Sequence, residues 1–284
     1  MKHDIFLNFL CLGTQKAGTT LLYKLLRQHP QIYLPNEKEA HFFDIDDNFN
    51  KGIEWYKQFF MNSEHYKIIG AITPSYLFFD YVPERIKNTL GTDIKFLIIL
   101  RNPIDRAYSH YWMSYKRGYE KYPFEKAIIM EHARMRKGYF EKNHFSYLSR
   151  GFYSEQIKRY LSVFPFDNIK IIIFEEFIKN IKPYMKDILV FLGCHDLEFE
   201  FNIHDESVHY GDLSISQYLK AIKTNRNFIF QKEMFNLKKL IKNKRIHYPP
   251  LKKATRVFLQ ELYKHDIHEL ELLLKRDLSI WYKD

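Results

Sequence analysis

Apolar residues in this chain fall into two rhythms, short unbroken runs and stripes spaced three or four residues apart. The first run, over residues 5–12, predicts a strand. After a glycine-containing turn comes a helical stripe (Leu21, Leu22, Leu25, Leu26) that reaches about Gln28, where His29-Pro30 closes it. Residues 31–34 predict a short strand, 51–60 an aromatic-faced helix, and 67–76 a strand ending in a turn. Val82-Pro83 opens a helix to about Leu90. Residues 94–100 are nearly all apolar, the pattern of a parallel strand buried on both faces. Asn102 caps and Pro103 opens the next helix, and the helical pattern continues through Arg136. A helix after Arg150-Gly151, a strand over 168–174 and a helix closing at Gly193 follow. Residues 194–234 show no clear pattern, and amphipathic helices (Val257, Phe258, Leu262, Leu270, Leu273, Leu274) complete the core. Strands alternating with helices predict an α/β fold, a P-loop-type domain with a central parallel sheet flanked by helices on both faces. With no repeat, low-complexity tract or linker, residues 1–284 read as a single domain.

Chemistry enters at Gly13-Thr14-Gln15-Lys16-Ala17-Gly18-Thr19-Thr20, between the first strand and the first helix. A strand, glycine turn and helix in that order aim backbone N–H groups and a helix N-terminus at a phosphate. Thr19 and Thr20 can cap the helix and donate to an anion. A nucleotide triphosphatase loop places Lys-Ser/Thr directly after its second glycine. Here Thr19 follows Gly18, and the loop lysine is Lys16, two residues earlier. A second cluster, Glu37, Lys38, Glu39 and His41, follows the short second strand, where loops of α/β sheets carry function; a solvated turn is the plain alternative. The run over 94–100 ends in Arg101, a cation where a kinase strand offers a carboxylate to Mg²⁺, and Ser109 lies about two turns into the next helix. That points to a metal-free anion site, with a structural Arg101–Asp105 ion pair as the alternative.

Composition narrows this further. The chain has 284 residues with 44 basic and 34 acidic side chains, a formal charge of +10. Such a balance suits an anionic ligand without choosing among nucleotide, nucleic acid, sulfated glycan and membrane surface. Two cysteines, Cys11 and Cys194, exclude a disulfide framework and favour a reducing compartment. No apolar stretch approaches the roughly 20 residues of a membrane span, and the first strand leaves no room for a cleavable leader. The expectation is a cytoplasmic protein, with peripheral membrane contact and oligomeric state left open. The segment 236–259 holds eight basic residues and no acid; it reads as a solvated face or as a loop closing over phosphate.

Together, Gln15-Lys16-Ala17-Gly18-Thr19-Thr20 and Leu100-Arg101-Asn102-Pro103-Ile104-Asp105-Arg106-Ala107-Tyr108-Ser109 resemble the two donor-binding motifs of sulfotransferases that use 3′-phosphoadenosine 5′-phosphosulfate (PAPS). The chain is most similar to the heparan sulfate N- and 3-O-sulfotransferase branch and its bacterial relatives, through Glu39-Ala40-His41-Phe42-Phe43, Lys51-Gly52-Ile53-Glu54-Trp55-Tyr56, Thr73-Pro74-Ser75-Tyr76 and 274–281. The resemblance implies PAPS as donor and 3′-phosphoadenosine 5′-phosphate (PAP) as product, with no metal and no nucleic acid. Lys16, Ala17, Gly18, Thr19 and Thr20 would hold the 5′-phosphosulfate, and Arg101 and Ser109 the 3′-phosphate. Glu39 would be the catalytic base, with Lys16 and His41 assisting. Lys244, Arg245 and Tyr248 fall near a late phosphate-binding loop whose Lys-Gly-Arg pattern is not reproduced. Two departures stand out: the heparan enzymes place a lysine where this chain has Ile72, and their paired C-terminal cysteines are absent. Both suggest a bacterial relative with its own acceptor, a saccharide or glycoconjugate. The alternatives are a P-loop nucleotide kinase and a basic polyanion-binding module without catalysis.

Overall fold

The computed structural model describes residues 7–194, 199–202 and 248–282. Their elements run β1 (Phe9–Gly13), α1 (Thr19–Leu26), β2 (Ile32–Tyr33), α2 (Asp46–Phe49), α3 (Ile53–Lys57), β3 (Ile68–Ile72), α4 (Val82–Leu90), β4 (Lys95–Leu100) and α5 (Pro103–Lys116). There follow α6 (Phe124–Ile129), α7 (Glu131–Met135), α8 (Tyr139–Phe145), α9 (Tyr153–Leu161), β5 (Ile169–Ile173), α10 (Phe174–Lys179), α11 (Ile181–Leu192) and α12 (Lys253–Leu274). The described chain divides into two compact units, one of residues 7–102, 152–194, 199–202 and 265–282, the other of 103–151 and 248–264.

The first unit is built on a five-stranded sheet in the order β2-β3-β1-β4-β5, every described pairing parallel. Parallel strands need both faces covered, and β1 and β4 accordingly bury every residue except Lys95 at the start of β4. The register places Cys11 opposite Ile72 of β3 on one side and Leu97 of β4 on the other. Between Cys11 and Gly13 the β1–β4 register shifts, so the end of β1 leaves the ladder just before the glycine turn. Helices flank the sheet through apolar stripes: Leu21, Leu22, Leu25 and Leu26 of α1, as read from the sequence, Val82, Ile86 and Leu90 of α4, and Ile181, Met185, Ile188, Leu189 and Leu192 of α11. Gly193, at φ 85°, ends α11 in the left-handed cap that glycine favours. Cys11 and Cys194 are both buried and carry no disulfide, and burial pushes the Cys11 thiol up to about 12.

The second unit packs around the aromatic face of α5. Tyr111, Trp112 and Tyr115 are buried, and Tyr248 stacks on Trp112 at 5.4 Å with the rings 6° apart. Tyr108 donates its hydroxyl proton to the Pro249 carbonyl at 2.7 Å. The helical pattern extending through Arg136 is interrupted: α5 stops at Lys116, Gly118 takes φ 77°, and α6 starts only after Pro123. Glu120 fills the gap, accepting the Lys121 and Tyr122 amides, the Arg134 guanidinium and the Tyr147 hydroxyl. The C-terminal stripe forms one continuous helix, α12.

Candidate active site

The carboxyl ends of β1, β3 and β4 converge at the glycine turn. Thr14 donates its amide to Ile99 at 2.8 Å, while Thr73 and Leu77 donate theirs to Cys11 and Leu12, tying the Thr73-Pro74-Ser75 turn to β1. Gly13 must be a glycine: its φ is 135°, and a Cβ there would stand 2.4 Å from the Pro74 carbonyl oxygen. Gly18, at φ 89°, is the residue before α1, and a Cβ would meet the Phe174 ring at 2.7 Å. No side chain caps the N-terminus of α1, so its first-turn amides face the turn without a side-chain partner. The Thr14 hydroxyl is buried and makes no hydrogen bond, and Lys16 takes a left-handed φ of 73°. An orphan donor, an uncapped helix start and a cradle that tolerates no Cβ all suit an anion with several oxygens.

Arg101, at the end of β4, joins this loop. Its Nη1 donates to the Lys16 carbonyl at 3.0 Å, and its guanidinium lies 5.0 Å from the centre of the same Phe174 ring that walls Gly18. The Tyr153 hydroxyl donates to the Arg101 carbonyl at 2.8 Å. Beside it, Glu175 accepts the Asn102 amide at 2.8 Å and the Trp281 indole N–H at 2.9 Å, and Asn102 Nδ2 donates to the Trp281 carbonyl. The C-terminal Leu278-Ser279-Ile280-Trp281 thus braces the strand end that carries Arg101. Asp105, the alternative partner read for this arginine from the sequence, pairs with Arg256 at 2.8 Å within the second unit.

The loop after β2 supplies the second half of the chemistry. Phe42 stacks on Tyr56 at 4.5 Å, Phe43 meets Tyr56 and Tyr76 edge-on, and both amides donate to the Tyr76 hydroxyl. With the two rings fixed in the core, His41 turns back at φ 50° between two carboxylates. Its Nδ1 lies 2.9 Å from Asp44 Oδ2 and its Nε2 lies 3.6 Å from Glu39 Oε2. Ser75 donates its hydroxyl proton to Asp44 Oδ2 at 2.6 Å, and Lys38 Nζ sits 2.5 Å from Glu39 Oε1. Partial burial alone would raise the Glu39 carboxyl, but His41 and Lys38 outweigh it and hold the group at about 2. Burial likewise opposes charge on His41, and Asp44 and Glu39 overcome it, raising the imidazole to about 9. Near neutrality Glu39 is therefore a carboxylate and His41 an imidazolium.

The two halves meet at the Thr73-Pro74-Ser75 turn, which is tied to β1 through the Thr73 amide and the close approach of Pro74 to Gly13, and to the His41–Asp44 pair through the Ser75 hydroxyl. Among the sequence-predicted residues, Lys16, Ala17, Gly18, Thr19, Thr20, Arg101, Glu39 and His41 all lie in the first unit. Ser109 is buried on α5, and Tyr248 stacks on Trp112, both in the second unit. Lys244 and Arg245 lie outside the described residues, as does the rest of 236–247 in the basic segment; Lys252 and Arg256 at its end pair with Glu125 and Asp105. Sequence reasoning missed Asp44 and Ser75. Asp44 stands three residues after His41 and Ser75 lies in the turn after β3, but only the pairing of β2 with β3 brings them together. Among the described residues no cluster of His, Cys, Asp and Glu could hold a metal ion, and no helix is long and apolar enough to cross a membrane.

Comparison with known proteins bears on this geometry directly. The model of the sulfotransferase domain family matches residues 7–271. Human heparan sulfate glucosamine 3-O-sulfotransferase 5 is 30% identical over 200 residues, which cover 69% of this chain and 56% of that protein. Mouse bifunctional heparan sulfate N-deacetylase/N-sulfotransferase 4 is 29% identical over 288 residues, 94% of this chain and 30% of that protein. The chain spans about half or less of the length of these curated relatives. The crystal structure of a sulfotransferase from Alicyclobacillus acidocaldarius matches with a TM-score of 0.74 at 27% identity, covering 98% of this chain and 99% of the other. A phosphate-type turn, a strand-end arginine bonded to it and a family match over nearly the whole described sheet agree: the chain belongs to the sulfotransferase domain family.

Proposed function

We propose that this chain transfers a sulfuryl group from PAPS to a hydroxyl or amine of a saccharide or glycoconjugate. The observation that carries the reading is the ionised Glu39, backed by His41 and Asp44, beside a glycine turn whose Lys16 carbonyl is held by Arg101. Lys16, Ala17, Gly18, Thr19 and Thr20 would hold the 5′-phosphosulfate through the turn amides and the start of α1. Arg101 would meet the 3′-phosphate; Ser109 is assigned to it on sequence resemblance, and Lys244, Arg245 and Tyr248 to the late phosphate loop on the same ground. PAPS supplies an activated sulfuryl group on a phosphate leaving group, and no metal is needed for that chemistry.

The chain's own part is to orient, to receive a proton and to offset charge. Glu39 accepts the proton as the acceptor O–H or N–H bond breaks and the acceptor atom bonds to sulfur. The bond from sulfur to the bridging oxygen breaks, and its electron pair stays with PAP, where Lys16 and the turn amides offset the new charge. A carboxylate at about 2 is a weak base, which suits a loose transition state in which the attacking group becomes acidic as it bonds to sulfur. The acceptor class is supported by the names of the relatives, both heparan sulfate enzymes. Cytoplasmic residence is supported by two buried, unpaired cysteines, and a bacterial origin by the likeness to the Alicyclobacillus enzyme. Residues 1–284 then make up one catalytic domain.

The test is transfer from radiolabelled PAPS to a desulfated glucosamine oligosaccharide by wild type and by Glu39→Gln. Wild type should label the saccharide, and Glu39→Gln should lose about 10²–10⁴-fold in kcat while still binding PAP. A Glu39→Gln variant as fast as wild type would remove Glu39 from the mechanism.

A further inference from the structure

Ile72, the last residue of β3, is buried and apolar, and it pairs in register with Cys11 of β1. The strand end next to the glycine turn therefore offers no cation of its own from β3. On the loop after β2, Lys38 Nζ lies 2.5 Å from Glu39 Oε1. Its side chain is only 18% exposed, less than the 38% of its partner, so this lysine is sequestered beside the base and is not a solvated tail.

We propose that Lys38 is a positioning residue for sulfuryl transfer: its ammonium holds Glu39 Oε1 while the His41 imidazolium holds Oε2. The inference rests on the sulfuryl-transfer reading above. One cation on each carboxylate oxygen fixes the plane of the group and leaves a lone pair on each oxygen for the acceptor proton. Without Lys38 the carboxylate is held at Oε2 alone and can rotate away from the line of attack, the kind of misplacement that costs rate without costing donor affinity. The charged groups facing Glu39 are Lys38 and His41, with Asp44 behind His41. An ordinary exposed ion pair between neighbours in sequence would contribute almost nothing, so the two readings separate cleanly in experiment.

Lys38→Met and Lys38→Arg are compared with wild type in two assays: PAP binding by calorimetry, and transfer from PAPS to the desulfated glucosamine oligosaccharide from about pH 4 to about pH 9. For Lys38→Met, kcat at neutral pH is expected to fall about tenfold or more, with KM for PAPS within about threefold of wild type. An acid limb should emerge at a pH above that of wild type, because one of the two cations that oppose protonation of Glu39 is then gone. Lys38→Arg should recover most of the rate. A Lys38→Met variant with wild-type kcat and an unmoved acid limb, in an enzyme that binds PAP and transfers sulfuryl groups, would overturn this inference alone. Wild type that neither binds PAP nor labels the saccharide would overturn the reading beneath it.

Discussion

At the scale of single residues, the chemistry turns on His41, which holds one carboxylate against a core serine and points at another. Its raised value makes the imidazolium the resting form, and the alkaline side of the rate profile should report its loss. Transfer is expected to decline as pH rises toward about 9, when Nε2 loses its proton and turns a lone pair on the Glu39 carboxylate. His41→Gln should abolish that limb; a limb unchanged in His41→Gln would assign it to another group. The same shift carries a stability sign. The folded state binds the proton more tightly than the unfolded chain, so this contribution is full below about 6.5 and is lost as pH rises through about 9. Glu39 and His41 were legible in the sequence because the pair sits within three residues and resembles a known motif. Asp44 and Ser75 were not, because their roles arise from two loops meeting over the β2–β3 edge.

At the scale of elements, the turn from β1 to α1 works because its geometry is over-determined. Gly13 is pinned against the Pro74 carbonyl, Gly18 against Phe174, and Lys16 is held through its carbonyl by Arg101. Gly18→Ala puts a Cβ at positive φ into an aromatic wall, and about 1–3 kcal/mol of destabilisation is expected from strain and crowding. PAP affinity should fall beyond that seen for a comparably destabilising core substitution far from the turn, measured by calorimetry. Equal PAP affinity in Gly18→Ala and wild type would dissociate the turn from donor binding. The turn was readable from sequence because glycine spacing, the preceding apolar run and the following stripe are all local signals. The Glu175–Asn102–Trp281 brace was not, since its three residues come from α10, the loop after β4 and the turn at Ser279–Trp281. Past Lys116 the helical pattern was over-extended: Gly118 and Pro123 are breakers, and helix resumes only beyond them in α6, which buries Phe124, Ala127 and Ile128.

At the scale of the whole molecule, the sequence family spans both compact units, while the parallel sheet and the proposed reacting groups belong to the first. The alternation of apolar runs and helical stripes made the α/β class plain without coordinates. The division into two units left no mark on composition: α5 starts one residue after Asn102, with no linker to announce it. A net charge of +10 favours any polyanion, so specificity for a 3′-phosphorylated nucleotide is the property that separates a sulfotransferase from a kinase or a general polyanion binder. The most direct measurement is thermal unfolding with PAP, set beside ATP plus Mg²⁺ and beside AMP. At about 100 times its dissociation constant PAP should stabilise the fold by about 2.7 kcal/mol, and AMP and ATP–Mg²⁺ should do far less. Stabilisation by ATP–Mg²⁺ with none from PAP would contradict the account.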